Sequence, residues 1–494
     1  MGPAGNRKKN TVKSNQAPNI LWICTDQQRW DTLGCYGNKA VKTPNLDRLA
    51  ARGVLFESAY CQSPVCTPSR ASFLTGRYPR TTGCRQNGQS IAAQETLITR
   101  LLADNGYACG LSGKLHISAC HPSAAPVMER RIDDGYTEFH WSHHPDPDWP
   151  ANEYTQWLRQ HNLSYKKQPH PESAYVDRGM PAEHHHTRWC ARKAADFVQA
   201  YAGFHRPWLF SVNFFDPHHP FDPPPEYLER YVHKLDDIPL PTYTRGELES
   251  KSPFQLKDHQ GAYGGAAGLP FDQMTDKDHR LVRAAYWAMC DFIDDQVGVI
   301  LDALDRTGQT ENTIVIFMSD HGEMLGDHGI YLKGPYFYEP AIHVPLIVSW
   351  PGGIGGGRRI QSLIELVDLA PTLLDAAHLP PSPAIQGKSM WPMLTDSRYE
   401  AAHHDDVYCE YYNAMPWHTN PKAYGTMLRT NRHKIVVTHG FAGGELYDLA
   451  QDPDEVRNLW DAPEHSVVQA QLLKRLCDRM AWTVDPMPHR EAPF

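Results

Sequence analysis

The chain has 494 residues, 41% hydrophobic and 21% charged, enough for one large core with a smaller unit beside it. Its 48 basic and 57 acidic residues leave a net charge of −9, which argues against a nucleic-acid surface while allowing a local basic pocket. No run approaches the roughly 18 apolar residues that cross a bilayer, so no membrane segment is expected and a soluble enzyme fits best.

Met1 to Pro18 is polar and carries Arg7, Lys8, Lys9 and Lys13 with no apolar stretch after them. Residues 1–18 therefore read as a disordered arm rather than a secretory signal, and a cytoplasmic location is expected. A periplasmic or secreted protein that had lost its leader would look the same. Eleven cysteines without CxxC spacing make a disulfide framework or a zinc site unexpected.

Asn19–Cys24 is an apolar run that ends at Thr25-Asp26 and predicts a buried strand. Helices are expected over 44–53, with Thr43 as cap and Pro44 in the first turn, then over 68–76 and 95–105. Strands follow at 107–111 and 208–214, the second leading to Asp216. The stretch 122–181, rich in Pro, His and Trp, is expected to be irregular and to cover one face. Residues 276–307 give the longest helical pattern. Thr313–Ser319 is the clearest buried strand and ends at Asp320; a strand at 344–350 and a helix at 367–377 complete the series.

Apolar strands alternating with helices predict an α/β fold, a mostly parallel sheet flanked by helices on both faces. Ligands of such sheets bind beyond the carboxyl ends of the strands, where Asp26, Asp216 and Asp320 all fall. After Leu379 the pattern shortens behind Pro380, Pro381 and Pro383. The expected division is a catalytic unit over 19–379 and a smaller C-terminal α+β subdomain over 380–494, with a small sheet and a terminal helix.

Asp26-Gln27 and Asp320-His321 offer hard oxygens and one imidazole at two strand ends, a set suited to Ca2+, Mg2+ or Mn2+. Either pair alone is more often a cap or a turn; together they point to a metal. Cys66-Thr67-Pro68-Ser69-Arg70 places a cysteine at a helix start, where positive potential favours an anion, with an arginine one turn on.

The run from Cys66 to Arg77 closely resembles the signature of the type I sulfatases, Cys-x-Pro-Ser-Arg followed by a Leu-Thr-Gly helix. Gly113-Lys114-Leu115-His116, Asp216-Pro217-His218-His219-Pro220, Ser319–Glu323 with Lys333, and Glu445–Leu449 with Asn458-Leu459 resemble further family elements in the family's order. The resemblance implies an alkaline-phosphatase-like sandwich, one divalent metal on Asp26, Gln27, residue 66, Asp320 and His321, and a formylglycine made from Cys66. It implies a formylglycine-generating enzyme as maturation partner and hydrolysis of a small-molecule or oligosaccharide sulfate through a formylglycine-sulfate intermediate. Arg70, Lys114 and Lys333 would offset charge, His218 would protonate the departing alcohol, and His116 would act as base when sulfate leaves. Self-association is left open.

Two positions depart from the commonest pattern: Gln27 stands where many sulfatases have Asp, and His321 where many have Asn. Calcium is expected first and manganese second. The rival within the superfamily is a phosphonate or phosphate ester hydrolase, which Lys114 and His116 count against. Outside catalysis, the alternative is a binder of sulfated glycans, which would need no oxidisable Cys66. Trp141, Trp149, Trp157, Tyr263 and Trp417 are candidates to stack on a sugar or aryl ring.

Overall fold

The computed structural model describes residues 17–488 and 492, except 147–148, 397, 400–401 and 419. The arm expected over 1–18 lies outside the described residues but for Ala17 and Pro18. Fifteen strands are described: β1 Asn19–Thr25, β2 Val54–Tyr60, β3 Ala108–Gly113, β4 Glu138–Trp141, β5 Gln168–Pro169, β6 Asp177–Arg178, β7 Trp208–Asn213 and β8 Thr313–Ser319, then β9 His343–Ser349, β10 Arg358–Ile360, β11 Ile364–Glu365, β12 Val407–Tyr412, β13 Tyr424–Arg429, β14 His433–Thr438 and β15 Glu445–Asp448.

The large sheet runs β10-β2-β9-β8-β1-β7-β3-β4, with β11 continuing beside β2. Its pairs are parallel except those that β9 makes with β8 and β2. Strand alternation feeds two cores. Ile20, Trp22 and Cys24 of β1 face a cluster containing Phe73, Leu102 and Leu373. Leu21 and Ile23 face the opposite one, with Leu46, Trp189 and Ile300. Helices Cys66–Thr75, Ile98–Asp104 and Leu369–Ala376 thus cover one face, and helices Pro44–Ala51 and His186–Ala200 the other. This is the expected α/β sandwich.

The long helix Asp276–Thr307 opens on a capping box between Thr275 and Asp278 and closes at the left-handed Gly308. Helix Ile98–Asp104 starts later than the sequence pattern suggests: Leu97 is extended at φ −78°, ψ 150°, and Glu95, ahead of it, pairs with Arg77 at 3.2 Å. The 122–181 stretch is less irregular than expected. It contains helix Glu153–Gln160, and β4 extends the large sheet beside β3.

The C-terminal strands form an antiparallel sheet, β12-β13-β14-β15. Tyr408, Leu428, Ile435 and Leu446 on one face pack on Leu472 and Leu476 of helix Ser466–Trp482. Cys409, Met427, Val436 and Tyr447 on the other face join the core of the large sheet. The small sheet is therefore fused to the large one through shared apolar burial, the main stabilising term for such a contact.

Candidate active site

β1 and β8 are in register, Thr25 opposite Ser319, so the next residue of each, Asp26 and Asp320, emerges at one point beyond the sheet. The Asp320 amide donates to Thr25 O at 3.2 Å. Two strands away β3 ends at Gly113, whose φ of +95° turns the chain. A Cβ there would lie 2.0 Å from Asn213 O, so only glycine allows the turn. Lys114 follows, and its ammonium bonds Asp26 Oδ2.

Cys66 lies in the first turn of helix Cys66–Thr75, 1% exposed. Its Sγ is 3.2 Å from His321 Nε2, 3.6 Å from Asp26 Oδ1 and 3.0 Å from Lys333 Nζ. One turn along, Arg70 Nε donates to Asp320 Oδ2 at 2.8 Å and Nη1 to Lys114 O at 3.0 Å, while Nη2 has no hydrogen-bond partner. Burial and the Asp26 charge push the Cys66 thiol up, but Lys114, Lys333 and His321 outweigh them and bring it down to about 7. Against its own burial, Asp26 is held well below the usual carboxylate range, chiefly by Lys114. His321 is raised; burial opposes this, and Asp320 overcomes it.

The donor set fits a divalent cation. Asp26, Cys66, Asp320 and His321 bring ligand atoms within 4.8 Å of one another, all buried. The His321 Nε2 separations from Asp26 Oδ1 and Asp320 Oδ1 are 3.7 Å each. Bonds of about 2.0–2.4 Å at ordinary coordination angles leave ligand atoms roughly 3–4 Å apart. His321 Nδ1 faces Gly322 O at 2.8 Å, which puts the proton there and turns the Nε2 lone pair toward the cluster. Gln27, expected as a ligand, has a left-handed backbone with φ 67°. Its Oε1 accepts from Lys333 Nζ at 2.6 Å and its Nε2 donates to Glu323.

His116 and His218 stand on either side. His116 Nε2 is 3.0 Å from Thr67 Oγ1, and burial, then Lys114, keep the ring well below its usual range. The Nε2 of His218 is 3.0 Å from Lys333 Nζ and its Nδ1 is 2.5 Å from His219 O. Burial, then Lys333, hold this imidazole neutral as well, so it is no acid before an anion arrives. Asp216 does not join the site. Its carboxylate turns away to accept from Thr187 Oγ1 at 2.5 Å, with His185 Nδ1 3.6 Å off.

All the catalytic candidates except Arg70 line one cleft of about 610 Å3, together with His143, His144, Tyr263 and Trp417. Trp141 and Trp149, offered by the sequence as stacking residues, are 1% exposed and pack edge-on to each other. Trp157 lies on an outer helix against His161 and His184. Two acids whose placing roles the sequence did not reveal support the site. Glu323 accepts from Gln27 and from the amides of Leu325 and Leu332. Glu129 accepts from the His116 and Ile117 amides and from Trp141 Nε1. Glu323 lies in the Ser319–Glu323 motif, a usable signal; Glu129 lies in no motif.

The family model described as sulfatase matches residues 18–379, nearly three quarters of the chain. The chain belongs to the sulfatase family. A second model, the C-terminal region of N-sulphoglucosamine sulphohydrolase, matches residues 326–481 of this sulfatase. It is 30% identical to the sulfatase YidJ of Escherichia coli (strain K12), over 95% of this chain and 88% of that one. It is 29% identical to an arylsulfatase of Clostridium perfringens (strain 13 / Type A), covering 91% of each. Among solved structures, the phosphonate monoester hydrolase from Silicibacter pomeroyi superposes with a TM-score of 0.81 at 24% identity, covering 95% of this sulfatase and 96% of that chain. That last likeness shows the shared fold.

Proposed function

We propose that this sulfatase hydrolyses sulfate esters of sugars or aryl alcohols, with residue 66 as the nucleophile after oxidation to formylglycine. The observation that carries the reading is the position of Cys66: buried at the floor of the cleft, inside a ring of metal-type donors and within reach of a lysine. A structural cysteine needs no such company. The formylglycine hydrate supplies a hydroxyl for attack on sulfur and a second hydroxyl whose deprotonation expels sulfate and restores the aldehyde. Asp26, Asp320, His321 and residue 66 would hold a divalent cation, calcium first and manganese second, with Gln27 turned to Lys333 instead; the ion would supply Lewis-acid stabilisation of negative charge.

The chain's own groups do the rest. Lys333 and His218 form the anion-binding side, and Arg70 Nη2 and Lys114 add positive potential where charge builds. A sulfate oxygen entering between Lys333 and His218 counters the lysine's repulsion and lets the imidazole carry the proton that the alcohol takes away. His116, held neutral beside Thr67, is the base for sulfate release.

Phosphonate hydrolysis is the second reading, favoured by the fold match alone. Comparison of kcat/KM for nitrophenyl sulfate and nitrophenyl phenylphosphonate separates the two; sulfate is expected to win by at least tenfold. Cys66→Ala and Cys66→Ser should both lose multiple turnover, and near-normal kcat in either defeats the mechanism.

A further inference from the structure

One wall of the cleft carries no charge and is built from two distant segments. Tyr263 comes from the glycine-rich loop 261–268, Trp417 from the β12–β13 connection. Their rings stack at 4.5 Å with 2° between planes. The register is set from below by one buried acid. Asp258 Oδ1 accepts from Gly264 N at 2.7 Å and from His418 Nε2 at 2.9 Å, so a single carboxylate oxygen ties together the neighbours of both aromatic residues. Its Oδ2 accepts from Tyr336 at 3.4 Å. The pair is thus held in place before any ligand arrives, which lowers the ordering cost of binding.

Two features mark the pair as more than packing. Tyr263 is only 4% exposed, yet its hydroxyl has no hydrogen-bond partner. An unmet buried hydroxyl destabilises the free protein, a penalty that a ligand oxygen in the cleft removes. Trp417, by contrast, is 39% exposed beside that opening. An indole stacked on one side and partly open to the cleft is a platform for a flat or chair-shaped ring. The cationic groups Lys114, Lys333 and His218 line the same cleft and take the anionic end of the substrate.

We propose that Tyr263 and Trp417 form a sugar-recognition wall: Tyr263 donates its hydroxyl hydrogen to a ring or hydroxyl oxygen of a sulfated pyranoside, and Trp417 lies against that ring. This rests on the sulfate-ester reading above and narrows its substrate class to carbohydrate sulfates. Tyr263→Phe removes one oxygen and keeps the stack; Trp417→Ala removes the platform at a half-open position.

The test takes formylglycine-bearing enzyme and a panel of hexose and N-acetylhexosamine monosulfates, each ring position represented, with nitrophenyl sulfate as the reference lacking sugar hydroxyls. The ratio of kcat/KM on the best sugar sulfate to that on nitrophenyl sulfate is expected to fall about tenfold in Tyr263→Phe, and Trp417→Ala is expected to lower kcat/KM on the sugar sulfate itself about tenfold. An unchanged ratio in Tyr263→Phe, or an unchanged sugar-sulfate rate in Trp417→Ala, overturns the wall. Calorimetric binding of the same panel to Cys66→Ala protein separates this inference from the one beneath it. Binding that Tyr263→Phe weakens, when the formylglycine-bearing enzyme turns over none of the sulfates, keeps the wall and sinks the hydrolysis reading. Absence of any sugar-sulfate binding sinks the wall.

Discussion

At the level of single residues, the site depends on groups that never touch a substrate. His116 sits at φ 55°, a left-handed conformation that costs an ordinary side chain about 1 kcal/mol or more. Glu129, 1% exposed, holds it there through the His116 amide at 2.9 Å and the Ile117 amide at 3.1 Å. Glu129→Gln keeps the shape but turns one acceptor into a donor facing those N–H groups or Trp141. Loss of a hydrogen bond to a charged group is worth about 1.5–3 kcal/mol, so kcat should fall roughly 10–100-fold. KM and the extent of Cys66 oxidation, read by peptide mass, should change little. Unaltered kcat would remove Glu129 from the account. Cys66, Arg70, Lys114 and the strand-end pairs were legible in the sequence because each belongs to a short run with its own chemistry. Glu129 and Asp258 were not, since what they hold is brought to them by folding. Only three-dimensional placing separates Trp417 from Trp141, which has the same side chain buried in the core.

Among secondary elements, legibility followed continuity. β1 and β8 are unbroken apolar runs and stood out. β2 did not, because Glu57-Ser58 interrupts it; the structure absorbs that break as a register shift between Phe56 and Ala59, leaving Glu57 to pair with Arg359. The start of helix Leu369–Ala376 shows a different device. Asp368 accepts from the Glu365 and Lys388 amides and from His404 Nε2 at 2.9 Å, with His403 Nε2 at 3.2 Å. Its burial would raise the carboxyl, but His404 and then the His403 contact hold it well below the usual range; Asp368 in turn raises His404 against burial. The depressed carboxyl contributes stability above about pH 4 and loses it as pH falls through its lowered value. The raised imidazole contributes fully below about pH 6.5 and loses it as pH rises through its raised value. Asp368→Asn should therefore lower Tm most near pH 6 and less at pH 9. A Tm loss independent of pH would show that the backbone contacts alone matter.

For the molecule as a whole, the question is what locks the small sheet onto the large one. Besides the shared apolar face there is a buried charge: Lys434 on β14 places Nζ 2.9 Å from Glu339 Oε1, 2.6 Å from Glu455 Oε1 and 2.9 Å from Phe337 O. Lys434→Met would leave Glu455 buried without its cation and Glu339 with Arg429 alone, 3.4 Å away. Removing one member of such a set costs about 3–5 kcal/mol, far more than a surface pair at about 0–1 kcal/mol. A clear drop in Tm is expected, with faster amide exchange across β13 and β14. Exchange that rises equally throughout the protein would mean that the two sheets unfold as one unit.

The route taken by the β12–β13 connection has a consequence for how new specificities arise. The reactive groups sit at the start of helix Cys66–Thr75 and on the segments that follow β1, β3, β7 and β8, whereas Trp417 belongs to a hairpin more than 80 residues beyond the last of them. Insertions near Trp417 can reshape the mouth of the cleft as long as Ala414 keeps accepting from the Asn87 amide at 2.9 Å, because Asn87 Oδ1 in turn accepts from the Thr67 amide beside the nucleophile. Lineages, or engineers, could exchange the residues around Trp417 as a cassette and inherit the chemistry, provided that the Ala414 contact with Asn87 is kept.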